Sequence, residues 1–290
     1  MLERIAGWLL AAAFPLQALA APVVDDRNVA LDLHKPPRRI ITLLPSLTET
    51  VCELGGCNRL VAVDSYSNWP ERVRALPDVG GVDDANIEGI VALKPDLVLL
   101  STTSRALPRL ESLRVPVFGV DLKTMADVHR ALGNVGKLLG AKPAAAEELS
   151  ARIEHGIDDA AHHVPPSARG ASVYFEVAEG PYAASESSHI GEILARLGAT
   201  NIVPGKLGTV PKLNPEFVVR ADPNVIIAGE SDARDMARRP GWSRMRAIRE
   251  KRVCTLSRAQ GDVVSRPGPR LAEAARILVG CFKPAAKAGA

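Results

Sequence analysis

Short apolar runs recur along the chain, each followed by a polar, proline- or glycine-bearing turn and then by a stretch with helical spacing of its apolar residues. The first, Arg39-Ile40-Ile41-Thr42-Leu43-Leu44, reads as a buried strand, followed by Pro45-Ser46 and a helix from about Leu47 to Leu54 that stops at Gly55-Gly56. Leu60-Val61-Ala62-Val63, Leu97-Val98-Leu99-Leu100 and Val115-Pro116-Val117-Phe118-Gly119-Val120 repeat the strand pattern. Strands that are apolar throughout and alternate with helices predict a largely parallel sheet covered on both faces. From about Met125 the spacing becomes helical through Leu138-Leu139-Gly140. After Pro143, which suits the first turn of a new helix, it continues through Ala144 to about His163 and stops at Pro165-Pro166. Ala171-Ser172-Val173-Tyr174-Phe175-Glu176-Val177 then opens a second strand-and-helix series. The expected organisation is α/β: two Rossmann-like lobes with parallel central sheets, over residues 21–141 and 166–284, joined by one long helix at 142–165.

The two series share a plan. Glu88 to Val98 can be laid on Glu216 to Ile226 without a gap, each a short helix beginning at a glutamate, then a proline break and an apolar strand. A second echo lies earlier in each half, where Glu49 stands at the same interval before Leu54-Gly55 as Glu192 before Leu197-Gly198. Glu88 and Glu216 fall off the buried faces of their helices. Taken singly, each is an acid favoured by the helix N-terminus. As a pair in two lobes, they would offer two carboxylates to basic residues on a two-fold partner.

The first twenty residues form a leader pattern: Arg4, the apolar run from Trp8 to Phe14, and Ala18-Leu19-Ala20 as a small-x-small cleavage site. The reading is an exported, soluble periplasmic protein that starts near Ala21, with residues 1–20 as signal peptide. Four cysteines in such a chain suit disulfides. Three pairings are formally possible. The closeness of Cys52 to Cys57 makes Cys254 with Cys281 the complementary pair, against the alternative of four buried thiols. No CxxC pair or His/Cys cluster suggests a metal. The chain has 290 residues, 24% of them charged, with a net charge of +3. Its basic residues form no stripe, which argues against nucleic acid and membrane surfaces as partners.

Ligands of open α/β sheets sit outside the carboxyl ends of strands, and two such lobes make a cleft between them. The loops to consider are Pro45-Ser46, Ser65 to Pro70 and Ser101 to Thr103 in the first half. In the second they are Glu179 to Tyr182 and a loop expected from Gln260 to Arg270. Only 4% of residues are aromatic, so Tyr66, Trp69 and Tyr182 in these loops are candidate ligand contacts, with packing under their own loops as the competing reading. Asp262 and Arg266 could bind polar ligand groups or simply pair with each other. The six histidines carry no pattern, and His162-His163 fit a helix C-terminus. Ser185 to Ser188 resembles a helix cap, since no GxSxG elbow is present. There is no P-loop and no GxGxxG after a strand, and no nucleophile with its base, so an enzyme is not expected and no cofactor is implied.

These residues resemble a known family. Arg39 to Glu49, Ser65 to Pro70, Pro77-Asp78-Val79-Gly80-Gly81, Asn86 to Val98 and Pro240-Gly241-Trp242 with Arg252-Val253 are similar in order and spacing to the periplasmic binding proteins for vitamin B12, iron-siderophores and haem. The resemblance implies a class III periplasmic binding protein: two lobes, a single bridging helix, limited hinge motion, and a monomer that docks on a dimeric ABC permease with its ATPase through one glutamate per lobe, here Glu88 and Glu216. The vitamin B12 binders are the nearest likeness, their cleft tyrosine matching Tyr66, a second-lobe aromatic falling near Tyr182, and an Asp and Arg matching Asp262 and Arg266. The sequence departs where their cleft tryptophans would fall, at Val82, Ser101 and Val210. Haem binders commonly carry a tyrosine where Gly81 stands here. A corrinoid such as cobalamin is therefore the expected ligand, ahead of a ferric siderophore, with haem behind both.

Overall fold

A computed structural model describes residues 22–282. The expected leader and its cleavage site lie outside them. The first lobe opens with a small antiparallel hairpin, β1 (Val23–Val24) and β2 (Ala30–Leu31), which the apolar pattern did not announce. Polar contacts hold it. Asp25 is buried and accepts hydrogen bonds from the backbone of Arg27 and Val29 and, across to the sheet, from Gly119 N at 3.0 Å. Burial alone would raise the Asp25 carboxyl, but these donors and the Arg27 side chain hold it below the ordinary carboxylate range.

The first sheet comprises β3 (Ile40–Thr42), β4 (Leu60–Val63), β5 (Leu97–Ser101) and β6 (Val117–Val120), all parallel in the order β4-β3-β5-β6. Helices α1 (Pro45–Glu53), α2 (Ile87–Ala92), α3 (Leu107–Ser112) and α4 (Met125–Leu139) cover it. Two separate apolar clusters, one containing Ile40, Leu97 and Leu99 and the other Ile41, Val98 and Leu100, mark its two buried faces. That alternation is why the strands read as unbroken apolar runs. Helix α1 starts at Pro45, earlier than the expected Leu47, because a proline fits the first turn, where no N–H is needed. Thr124 and Asp127 form a capping box at the start of α4, and Gly140, with φ of 65°, ends it.

Helix α5 (Pro143–His162) falls inside the expected 142–165. It buries Leu149, Ile153 and Ile157, spaced to lie along one stripe. Each such side chain taken from water stabilises by about 1.5–3 kcal/mol. The stripe lies against α4 on one side and the last helix, given below, on the other.

In the second lobe the strands are β7 (Ser172–Ala178), β8 (Tyr182–Ala183), β9 (Thr200–Asn201), β10 (Val225–Gly229) and β11 (Val253–Leu256). Strands β11, β10, β7 and β9 lie side by side in that order, parallel, with β8 turned back antiparallel along β7. Helices α6 (His189–Arg196), α7 (Pro215–Ala221), α8 (Glu230–Arg234), α9 (Arg246–Arg249), α10 (Arg258–Ser265) and α11 (Leu271–Phe282) complete it. Helix α10 corrects an expectation: Asp262 and Arg266 do not sit in an open loop. Ser257 and Gln260 make a capping box, and Val263 and Val264 are buried, so the segment is helical with Arg266 at its C-cap.

The sequence repeat is structural. Strands β3, β4, β5 and β6 correspond to β7, β9, β10 and β11 in the same spatial order. Asn86 and Asn214 cap α2 and α7, and Lys94 and Asp222, at equivalent places after them, both have positive φ, 48° and 42°. Asp96 accepts from the backbone of Arg38 and Arg39, just as Asn224 accepts from Ser172 N, tying each turn to the start of its central strand. Disulfides join Cys52 to Cys57 and Cys254 to Cys281.

Candidate interlobe ligand-binding site

The carboxyl ends of the two sheets deliver their loops to one another, and polar side chains cross between them. Arg266, 8% exposed, is the centre. Its Nη1 donates to Glu49 Oε1 at 2.9 Å and to Asn68 Oδ1 at 2.9 Å, and its Nη2 donates to the Tyr66 carbonyl at 3.0 Å. Asp262, one turn earlier on α10, approaches Arg266 at 3.2 Å and accepts from Asn68 Nδ2 at 2.8 Å. Thus the second lobe holds the first through Glu49 on α1 and through the Tyr66-to-Trp69 loop. Arg270 adds a longer ion pair to Glu49 at 3.8 Å and lies 4.9 Å from the centre of the Trp69 ring. Burial pushes the Glu49 carboxyl above its ordinary range, against the opposing pull of Arg266 and then Arg270.

A matching contact runs the other way. Glu192 on α6 accepts from Met125 N at 2.6 Å, at the start of α4. Beside it His189 is buried, its backbone N–H donating to Lys123 O of the first lobe and its Nε2 bonding Val264 O of α10. Burial holds the His189 imidazole below its ordinary range, so it is neutral there. Glu49 and Glu192, the second echo in the sequence, therefore each cross to the opposite lobe.

A chain of buried hydroxyls supports the first-lobe loop. Thr42 Oγ1 lies 2.6 Å from Thr48 Oγ1, which lies 2.7 Å from Ser67 Oγ, which donates to Asp64. Asp64 also accepts from Tyr66 N at 2.9 Å. This scaffold leaves the Tyr66 ring 64% exposed, lying over Gly81, where a built Cβ would come within 3.3 Å of the ring. In the second lobe Tyr182 is 39% exposed beside Lys212, whose Nζ is 5.7 Å from the ring centre.

The sequence candidates thus divide. Tyr66 and Tyr182 present open aromatic faces. Ser46 is buried beneath Gly268 of the second lobe, and Pro45 is half-buried at the start of α1. Trp69 is half-buried with Arg270 against its ring. Asp262 and Arg266 meet each other, as their four-residue offset allowed, but within a wider network that fastens the lobes. Sequence reasoning missed Asn68, Arg270 and the cross-lobe use of Glu49 and Glu192. The echo of the two glutamates was the available signal, and it carried no information on partners. Glu88 and Glu216 are exposed and enter no ion pair among the described residues. Each follows its capping Asn by two positions.

Two α/β lobes of equivalent topology are joined by one long helix and meet through polar contacts between them. The chain belongs to the periplasmic binding protein family, whose pattern it matches over residues 40–259. It is a binding protein and not an enzyme. It is 30% identical to the cobalamin-binding protein of Halobacterium salinarum over 285 residues, 92% of this chain and 75% of that one. It is 27% identical to an uncharacterized ABC transporter substrate-binding lipoprotein of Bacillus subtilis over 271 residues, 90% of this chain and 84% of the relative. Among solved structures, a possible iron-binding periplasmic solute-binding protein of Staphylococcus epidermidis superposes with a TM-score of 0.73 at 27% identity, covering 86% of this chain and 99% of that one. The fold is that of the class III periplasmic binding proteins. Among the described residues no helix is long and apolar enough to cross a membrane.

Proposed function

We propose that the chain is the extracytoplasmic substrate-binding component of an ABC importer, that it takes a corrinoid between Tyr66 and Tyr182, and that it presents the loaded cleft to a dimeric permease through Glu88 and Glu216. The observation that carries the transport reading is the pair of Asn-capped helices α2 and α7, each offering at the same place in its lobe an exposed glutamate that enters no ion pair among the described residues. A two-fold permease meets such a pair with one cation from each half. The likeness to substrate-binding proteins of ABC transporters supports the same reading.

The corrinoid assignment rests on the 30% likeness to a cobalamin-binding protein and on the two open tyrosine faces. A flat macrocycle gains from aromatic contact on either side. Val82, Ser101 and Val210 leave the wall less aromatic than in the vitamin B12 binders, which keeps a ferric siderophore as the second reading. The Gly81 backbone lies under the Tyr66 ring and offers no axial ligand for haem iron.

One experiment separates the parts. Cyanocobalamin and dicyanocobinamide titrated into the purified protein should give a saturable absorbance change, and the Glu88→Ala/Glu216→Ala double variant should bind them equally well while losing uptake in cells. A flat corrinoid titration alongside saturable binding of a ferric siderophore would remove the corrinoid and keep the transporter role. Loss of ligand affinity in the double variant would place the glutamates in the pocket and remove the docking role.

A further inference from the structure

Glu216, the equivalent of Glu88 in sequence and in fold, stands on the rim of a groove. This groove, about 640 Å³, runs between α7 and the Pro240-Gly241 turn, and Val219, Pro240 and Gly241 provide apolar wall. Its shape has a local cause. Gly241 takes a φ of 82°, which L side chains rarely adopt, and a Cβ built there would lie 3.5 Å from Val219 Cγ2. The turn therefore approaches α7 with no side chain in the gap. Trp242, which follows, is buried in the lobe core and anchors the turn.

The charges around the groove are ordered. Glu216 lies near the N-terminal end of α7 and Arg220 one turn later, and both line the groove. An acid four residues before a base on a helix ordinarily pairs with it. Here neither side chain enters an ion pair among the described residues. The rim thus offers a carboxylate at one end, a guanidinium at the other and an apolar trough between. A complementary partner places a cation against Glu216, a bulky apolar side chain in the trough, and an acidic or carbonyl oxygen against Arg220.

We infer that this groove is the second lobe's socket for the permease, and that its occupant is a segment of the permease's extracytoplasmic surface with a basic residue next to a large apolar one. The inference rests on the docking reading given above and sharpens it. The second lobe contributes shape as well as charge to the complex. A charge pair at an exposed surface contributes little, whereas seating one large apolar side chain contributes about tenfold to a hundredfold in affinity. Most of the hold on this side therefore comes from the trough.

The test measures binding of the full-length mature protein to its permease-ATPase complex in nanodiscs. Val219→Trp fills the trough from its own wall. Arg220→Glu leaves the trough open and reverses one rim charge. The expected result is a loss of affinity of about tenfold or more for Val219→Trp, from the apolar contribution lost, and a smaller loss for Arg220→Glu. Thermal unfolding and the cyanocobalamin titration should stay as in the parent. Should Val219→Trp unfold early, Arg220→Glu decides, because Arg220 is exposed and its substitution leaves the core intact. Parent-like binding of both variants, with loss of binding in Glu88→Ala/Glu216→Ala, would overturn the socket and leave glutamate docking standing. Loss of binding in both groove variants, with parent-like binding of the double glutamate variant, would retain the socket and remove the glutamates. Parent-like binding throughout would overturn both.

Discussion

Glu49 and Arg266 show how one buried pair serves two lobes. The side chains are 1% and 9% exposed, so a charge that loses its partner there gains little from solvent. Glu49→Ala strands the Arg266 guanidinium with only Asp262, Asn68 and a carbonyl. The expected cost is about 3 kcal/mol, toward the lower part of the range for breaking a buried pair, measurable by urea denaturation. Replacing both residues with apolar ones should cost less, which a double-mutant cycle would show. His189 gives a pH signature of its own. Because burial depresses its pKa in the folded state, the unfolded chain takes up the proton first as pH falls below about 6.5. Stability should therefore be flat above that pH on this account and decline below it, with a slope approaching 1.4 kcal/mol per pH unit. His189→Gln keeps a donor for Val264 O and should remove this part of the slope, seen by comparing thermal unfolding across pH 5 to 8 ranges, roughly the window in which histidine titrates.

At the level of elements, the close packing of α5 on α11 depends on Gly156, where a Cβ would stand 2.5 Å from that of Ala272. Alanine at this position gains helix propensity of about 1 kcal/mol but forces the helices apart, at a cost of about 1–3 kcal/mol. Gly156→Ala should thus lower the unfolding midpoint, while Gly133→Ala on α4, where no atom lies within 4 Å, should raise it. Elements were well marked in the sequence wherever burial was simple. The strands at Ile40–Thr42, Leu97–Ser101 and Val225–Gly229 are buried on both faces and could be read from apolar runs alone. Helix α10 could not, because its glycine and single buried edge disguise a capped helix as a loop. The β1–β2 hairpin was equally hidden, since it is held by Asp25 and a distant backbone N–H rather than by its own two-residue strands.

For the whole molecule, the contacts between lobes are pseudo-symmetric. Glu49 reaches from the first lobe to Arg266 at the end of α10 and to Arg270 beyond it, while Glu192 reaches from the second lobe to the start of α4. With α5 as the bridge, the lobes are joined at three places, and relative motion must break buried polar contacts. The sequence marked loops in which Tyr66 and Tyr182 are exposed, because strand ends and polar loop composition are local properties. It could not show what covers Ser46, Trp69 and Arg266, because those partners come from the other lobe, some 200 positions away for Arg266 and Tyr66. The sequence by itself determined the two-lobed α/β plan, the duplication and the matched glutamates, since these depend on periodicity and on residues near one another in the chain. Only the tertiary structure decided which polar side chains fasten the lobes, because that choice is made by partners brought together from the two halves of the fold.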